Sequence, residues 1–592
     1  MAISLETGAS PLLVNQTPPT PTEQASPVLH NATGPQPPAP DVPATFDEAA
    51  RLDEDSDTVF NAGNYAMSDT SASPEDAAAS LVHEQRWGHG DQAAQAQYFN
   101  EQVEAHKDDA PWLSAYFAAL GEDRVADLMR LSITETANPY STGGLGGSGN
   151  EGAVTHYEST VDTLRTALDT LAKDGYLRQA DMNALYGGLD LDTSDRNVFG
   201  PTLVSDLFAN SSPEVQELFF NAALAEGNDN SAAIASHVLA NMSIDAQARI
   251  LGGMSQAELD SFVEMSMKGQ FEGIDLRKYF GEGDTHSTVT IGGITQILAN
   301  ANDVTVYYHA QIVVPDYPPE LQTALFDATA RALTNEDVFD KFADDAQFKD
   351  ELGVLALKQH DDFLDRALDA DGGANGEDLG STTRGEYSKV LEMTLFTPPL
   401  SGSAESLMRH IDARYQDIGN DLATLDDAAF EDKYGRNRGA MAAAYGQMTG
   451  VFFEALDAGL TRVKDDAEKA AEIMDPLFKL VDFGVGKGLE KAGPIGTVVS
   501  QVLDLTGASD AVKDGIKEKI KDGHIEDALQ DMMDHGVDLS QLGEELYEHM
   551  SDSVLPNRTD PNGTYQGPNG DVSIKDAWQN GYDFVEGAPT TS

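Results

Sequence analysis

Apolar residues recur along most of this chain at helical spacing. In PWLSAYFAALGEDRVADLMRL, Leu113, Phe117 and Leu120 share one face, and Val125, Leu128 and Met129 form a second stripe after Gly121. This spacing predicts two short amphipathic helices with a turn between them. Ser212-Pro213 has the form of a helix start, because proline at the first helical position lacks only an N–H that has no helical partner anyway. Val215, Leu218, Phe219 and Ala222 make the buried stripe behind it, and Gly227 supplies the stop. Ser255-Gln-Ala-Glu258 reads as a capping box in front of Leu259, Phe262 and Val263. Later faces run through Leu407, Ile411, Tyr415 and Ile418, and through Met441, Tyr445, Met448, Phe452 and Leu456.

One region breaks the helical period. Val304, Val306, Tyr308, Ala310, Ile312 and Val314 alternate with more polar positions, and Pro315 ends the run. Period two predicts a strand, with residues 287–291 (STVTI) as its partner in a small hairpin, and a helix is the alternative. The expected class is therefore mainly α, a multi-helix array or bundle with at most one small β-hairpin and a disordered N-terminus. No exact internal repeat emerges from the periodicity.

Composition divides the chain further. Residues 1–75 are rich in Pro, Thr, Ser, Ala and Asp, as in TPPTPTEQASP and GPQPPAPDVP. Such a segment buries too little apolar surface to offset its ordering entropy, so disorder is expected there. It is a plain tail or an uncleaved secretion signal. Helical domains follow over 76–300 and over 301–430, the latter with the hairpin. An amphipathic helical domain covers 431–550, and a loosely ordered, turn-rich tail covers 551–592.

The 592 residues hold 100 Asp+Glu against 37 Lys+Arg, a formal charge of −63. Neutralising nucleic-acid phosphates or anionic lipid requires a basic surface, so neither is an expected partner. The acid is spread along the chain rather than run into blocks. That favours a solvated surface suited to high salt over nucleic-acid mimicry or capture of a basic partner. There is no cysteine, which excludes disulfides, thiolate metal sites and cysteine nucleophiles. The start, MAISLETGASPLLVNQ, lacks the basic and apolar regions of a Sec signal, and no apolar run is long enough for an ordinary membrane span.

Motif chemistry fails on context. Gly144-Leu-Gly146-Gly-Ser-Gly149 fits a dinucleotide fingerprint in letters but follows no strand. His83-Glu84 with His89 lacks the i, i+4 ligand pair of a zincin, since Trp87 stands at the second position. Gly484-Val-Gly486-Lys487-Gly488 lacks the first glycine and the Ser/Thr of a P-loop. In TLAKDGYLRQAD, Asp174, Gly175, Leu177 and Asp181 match EF-hand positions, but Thr170 and Ala172 stand where the first two oxygen ligands belong. The acids Asp369 and Asp371 lack the spacing. No cofactor, no metal and no catalytic set is nominated; the catalytic residues are unknown, and enzymatic activity is not expected.

Several segments together resemble the helical, non-catalytic leader regions of large bacterial secreted polymorphic toxins and effectors. They are WLSAYFAALGEDRVADLMRL (112–131), SSPEVQELFFNAALAEG (211–227), SHVLANMSIDAQARILGGMSQAELDSFV (236–263), LFTPPLSG (395–402) and NRGAMAAAYGQMTGVFFEAL (437–456). Residues 508–592 depart from that plan, being too short and featureless for a toxin domain. A weaker similarity is to type III secretion translocator proteins, which share a disordered start, no cysteine and amphipathic C-terminal segments. The resemblance implies a secreted effector or toxin-like protein acting through protein or membrane interaction and leaving by a non-Sec route, with a cytoplasmic location as the alternative. Its implied partners are a secretion chaperone or the secretion machinery, and a host or target-cell membrane or protein. Two other functions stay open: a translocator that inserts 438–507 into membrane, and an unrecognised hydrolase using carboxylates.

Overall fold

Short polar and glycine signals set many of the described helix boundaries, and apolar stripes decide which face of a helix turns inward. The structure is a computed structural model. It describes residues 70–82, 92–137, 150–189, 191, 204–205, 207–269, 293–302, 304–307, 312–315, 317–369, 381–435, 438–474, 509–521, 524–537, 564–567 and 570–573. The described helices belong to one compact unit, Thr45–Ser592.

The first helices are α1 Pro74–Val82, α2 Gln92–His106, α3 Ala110–Leu120, α4 Glu122–Ala137, α5 Asn150–Lys173 and α6 Gln179–Leu189. Next come α7 Pro213–Glu226, α8 Asp229–Ala240, α9 Ile244–Gly252, α10 Gln256–Lys268 and α11 Gly293–Asn302. Strands β1 Val304–Tyr307 and β2 Ile312–Pro315 interrupt them. Then follow α12 Pro319–Ala332, α13 Glu336–Phe342, α14 Ala346–Asp369, α15 Ser381–Leu395, α16 Ala404–Thr424, α17 Asp427–Tyr434 and α18 Arg438–Arg462. Towards the C-terminus lie α19 Asp510–Lys521, α20 Ile525–Asp534, β3 Thr564–Gly567 and β4 Gly570–Ser573.

The mainly α class holds. Local signals act as read: Ser212 accepts from Val215 N at the start of α7, and Gly227 closes that helix in the left-handed conformation at φ 67°. Both bonds of the Ser255–Glu258 capping box are made. Each such cap is worth about 1 kcal/mol. The stripes named from the sequence face inward: Leu113, Phe117, Leu120, Val125, Leu128 and Met129 are buried, as are Met441, Tyr445, Met448, Phe452 and Leu456.

The hairpin differs from expectation. Val304–Pro315 is two strands rather than one. These two strands, β1 and β2, pair antiparallel with each other, with Val304 opposite Pro315, Val306 opposite Val313 and Tyr307 opposite Ile312. Alternation carries no mark of where a strand turns, so it reads straight through a hairpin. The 287–291 segment itself lies outside the described residues. A second hairpin, β3–β4, stands in the tail with Gly567 opposite Gly570.

Packing proceeds by relay. Helix α2 packs on α4, α4 on α6, α6 on α7, α7 on α8, α8 on α10, α10 on α12, α12 on α15 and α15 on α18. Helices α5, α11, α14 and α16 pack alongside, α11 between α8 and α14. One connected hydrophobic core takes in residues from Ala77 in α1 to Val537 beyond α20. Each large apolar side chain buried there contributes about 1.5–3 kcal/mol. With so much of the stability spread through burial, the buried polar groups mark the places where helices are tied in one register.

Candidate functional site

The last carbonyls of a helix have no partner within it, and a buried helix end must find donors elsewhere. This chain solves that problem repeatedly with one device. The side chain at the fourth position of a new helix reaches back and donates to carbonyls of the preceding turn or helix end. In α7, Gln216 donates to Ala209 O at 2.6 Å. In α9, Gln247 donates to Met242 O at 2.8 Å and Ala240 O at 3.2 Å. In α12, Gln322 donates to Tyr317 O at 3.1 Å. In α14 a lysine takes the place: Lys349 donates to Ala343 O at 2.6 Å. All four side chains are buried.

Gln247 is the most connected. Its Oε1 accepts from Asn300 Nδ2 of α11 at 2.9 Å and from the Tyr317 hydroxyl at 2.5 Å. One amide thus joins the end of α8, the start of α9, α11 and the approach to α12. Gln247 and Tyr317 are both 0% exposed. Every hydrogen-bonding direction of that amide is used, which is the condition under which a buried polar hub stabilises a fold.

Lys349 extends the device to the LFTPPLSG turn. Besides Ala343 O, its ammonium donates to Thr397 O at 3.1 Å and Pro399 O at 2.5 Å. The turn is held from other sides too. Leu400 N donates to Glu472 Oε1, Ser403 N to Asp350 Oδ1, and the Ser401 hydroxyl to Thr394 O. Burial pulls the Lys349 pKa below that of an ordinary lysine, although Asp344, Glu472 and Asp345 oppose it.

A charged junction lies where α13, α15 and α18 meet. The Arg462 fork reaches Glu392 at 2.5 Å, Asp340 at 2.8 Å and Glu336 at 2.5 Å. Lys389 bonds Glu336 at 2.8 Å and Glu392 at 3.0 Å. Both cations flank the Phe339 ring, at 4.3 Å for Arg462 and 5.0 Å for Lys389. Burial works against the Arg462 charge, but Glu392 and Glu336 outweigh it and raise its pKa. One relay step away, Arg331 pairs with Glu386 and Asp260. Burial outweighs Arg331 there and pushes the Glu386 carboxyl up.

Two histidines sit inside the helical body. His237 of α8 is 2% exposed, and burial pulls its imidazole down to about 4. His360 of α14 bonds the Tyr387 hydroxyl through Nδ1 at 2.5 Å, with the His410 ring edge-on at 5.5 Å.

The sequence motifs fare differently. Around 170–181 the structure forms a helix–turn–helix joint. Gly175 ends α5 at φ 77°, and Asp181 accepts from Arg178 N and Nε. That carboxylate is therefore already taken by the joint. The segments with Gly144–Gly149, with His83, Glu84 and His89, with Gly484–Gly488 and with Asp371 lie outside the described residues. Among the described residues, no group of three or more His, Asp or Glu stands together as a metal site, and no helix is long and apolar enough to cross a membrane. Of the 438–507 stretch, α18 is a core helix, and residues 475–507 lie outside the description.

Sequence reading missed the back-reaching side chains, although a signal exists. LFANSSPEVQ (207–216) and VLANMSIDAQ (238–247) match at Ala209 and Ala240, Asn210 and Asn241, Ser212 and Ser243, and Gln216 and Gln247. The alanine carbonyl and the glutamine amide of each stretch are the two ends of the same hydrogen bond. No family model matches the chain, and no characterised protein or solved structure is found to be similar.

Proposed function

We propose that this chain is a secreted bacterial effector or toxin-like protein whose helical body acts as a binding scaffold. The supporting observation is how its convergent polar groups are used. Gln247, Lys349 and the Arg462–Lys389 junction each tie several helices together through carbonyls and carboxylates. Such ties hold a multi-helix surface in fixed register, which a partner-binding body needs because a preorganised surface loses less entropy on association.

The export half of the reading rests on the Pro/Ser/Thr-rich residues 1–75 and the absence of cysteine. A chain without thiols passes through an unfolded state with no disulfide to reduce. The partners fitting this reading are a secretion chaperone or the secretion machinery, followed by a protein of the target cell. The test compares export of the full chain with that of a chain lacking residues 1–75, both expressed in a secreting host. Deletion abolishes export if residues 1–75 are the signal; undiminished export of the deleted chain would refute it.

A further inference from the structure

A short strap, Thr70–Ser73, leads into α1, and two aromatic side chains hold it. His106 is the last residue of α2, and Trp112 lies in the first turn of α3. The turn between these helices brings the two rings face to face. Asp109 Oδ1 accepts from Trp112 N at 3.1 Å, and the rings stack at 3.7 Å with 9° between their planes. Each ring then donates to the strap. His106 Nε2 donates to Thr70 O at 2.9 Å, and Trp112 Nε1 donates to Ala72 O at 3.4 Å. A carbonyl only accepts, so the His106 proton engaged here sits on Nε2.

The helix behind this clasp is weakly held by its own burial. Helix α1 has nine residues, and an isolated helix shorter than about twelve residues is marginal in water. Its start is capped locally: Ser73 Oγ accepts from Asp76 N at 3.2 Å and donates to Asp76 Oδ2 at 3.0 Å. The helix packs against α3 and α2. Among its described side chains, Ala77, Ala78 and Leu81 are buried. Helix α7, by contrast, buries Val215, Phe219 and Phe220. Small buried area places α1 at the low end of local stability, where two hydrogen bonds carry weight.

We propose that α1 is a detachable latch locked by the His106–Trp112 clasp, and that opening of the body from its N-terminal side begins with release of this latch. Because α1 is too short to persist undocked, release and unfolding of the helix are one event. Thr70 is the first described residue, so a pull on the chain before it reaches the clasp ahead of any other described contact. The relay from α2 to α18 does not run through α1, so those helices stay packed when the latch leaves. Use of this release during export rests on the export reading above; the latch itself does not.

Hydrogen exchange followed by mass spectrometry on the full chain at pH 7.0 tests this, with and without urea below the unfolding transition. The variants are Trp112→Phe and His106→Phe, which keep two stacked rings and remove one donor each. In the wild type, peptides covering α1 are less protected than those from α4, α7 and α18, and their exchange depends little on urea, because a local opening exposes little surface. Each variant lowers α1 protection by about two- to tenfold, the worth of one hydrogen bond, and the two together by about fourfold to a hundredfold. Helices α4, α7 and α18 keep their protection. A change below about twofold in the double variant overturns the proposal, and so does an equal loss in α4, α7 and α18. Should the variants prove unfolded by circular dichroism, the wild type decides: α1 exchanging with the rate and urea dependence of α7 overturns the latch, and separate, urea-insensitive exchange of α1 supports it. Undiminished export of a chain lacking residues 1–75 would remove the export reading and leave these exchange results standing.

Discussion

Replacing Gln247 by leucine keeps the side-chain bulk and removes the amide. The wild-type amide donates to Ala240 O and Met242 O and accepts from Asn300 and Tyr317. Ala240 O keeps a weaker bond from Asn300 at 3.4 Å. The substitution therefore strands the Met242 carbonyl, takes the Gln247 acceptor away from the Tyr317 hydroxyl and leaves one Nδ2 hydrogen of Asn300 without its acceptor, all out of reach of water. At about 1–3 kcal/mol for the stranded carbonyl and about 1 kcal/mol for each of the two bonds lost from Oε1, the cost is about 3–5 kcal/mol. Gln216→Leu is the internal comparison. It strands one carbonyl, Ala209 O, so its cost is about 1–3 kcal/mol. Urea unfolding followed by far-UV circular dichroism, with the shift in midpoint read at constant slope, gives both values. Tyr317→Phe adds a check. In the Gln247→Leu background the Tyr317–Gln247 bond is already gone, so it costs less there than in the wild type. Three results refute the reasoning: a Gln247→Leu cost below about 1 kcal/mol, a Gln216→Leu cost as large, or Tyr317 and Gln247 losses that simply add.

Arg462→Lys retains the charge but loses the fork that reaches Glu392, Asp340 and Glu336 together. Glu392 is 1% exposed, so weakening its pairing destabilises by about 2–4 kcal/mol, the upper end applying only to loss of a fully buried partner. The same urea assay checks it, and an effect within about 0.5 kcal/mol, typical of exposed surface positions, would reduce the junction to surface pairing. Salt acts in the opposite direction to its usual effect on ion pairs. With a formal charge of −63, screening relieves more repulsion than it costs in attraction. The thermal midpoint therefore rises from 0.05 to about 1 M NaCl; a flat or falling midpoint would show that the acids are locally compensated.

Much of the fold was legible because its signals are local. A serine before Pro213, a glutamate three residues after Ser255 and a glycine at 227 act on their own backbone within one turn, and the structure uses each as read. Helical stripes were equally legible, because one buried face is enough to fix them. The hairpin was half legible. Its residue types marked extended chain, but the four residues between Tyr307 and Ile312 include no glycine, proline, asparagine or aspartate to mark a break between strands.

Sequence alone therefore determined the helical class, the position of many helix ends, the inward faces, and the exclusion of thiol chemistry. These depend on residue identity and short spacing. Only the tertiary structure decided what the buried polar side chains do. Lys349 reads in sequence as one more solvated cation, yet it is 0% exposed and spent on three carbonyls. A main-chain carbonyl looks the same behind every residue, so no sequence pattern marks it as an acceptor. Arg462 meets Glu336 across 126 residues, and His237 is neutralised by the helices around it rather than by any neighbour in the chain. Burial and long-range proximity are properties of the assembled helices, and they appear only when those helices pack.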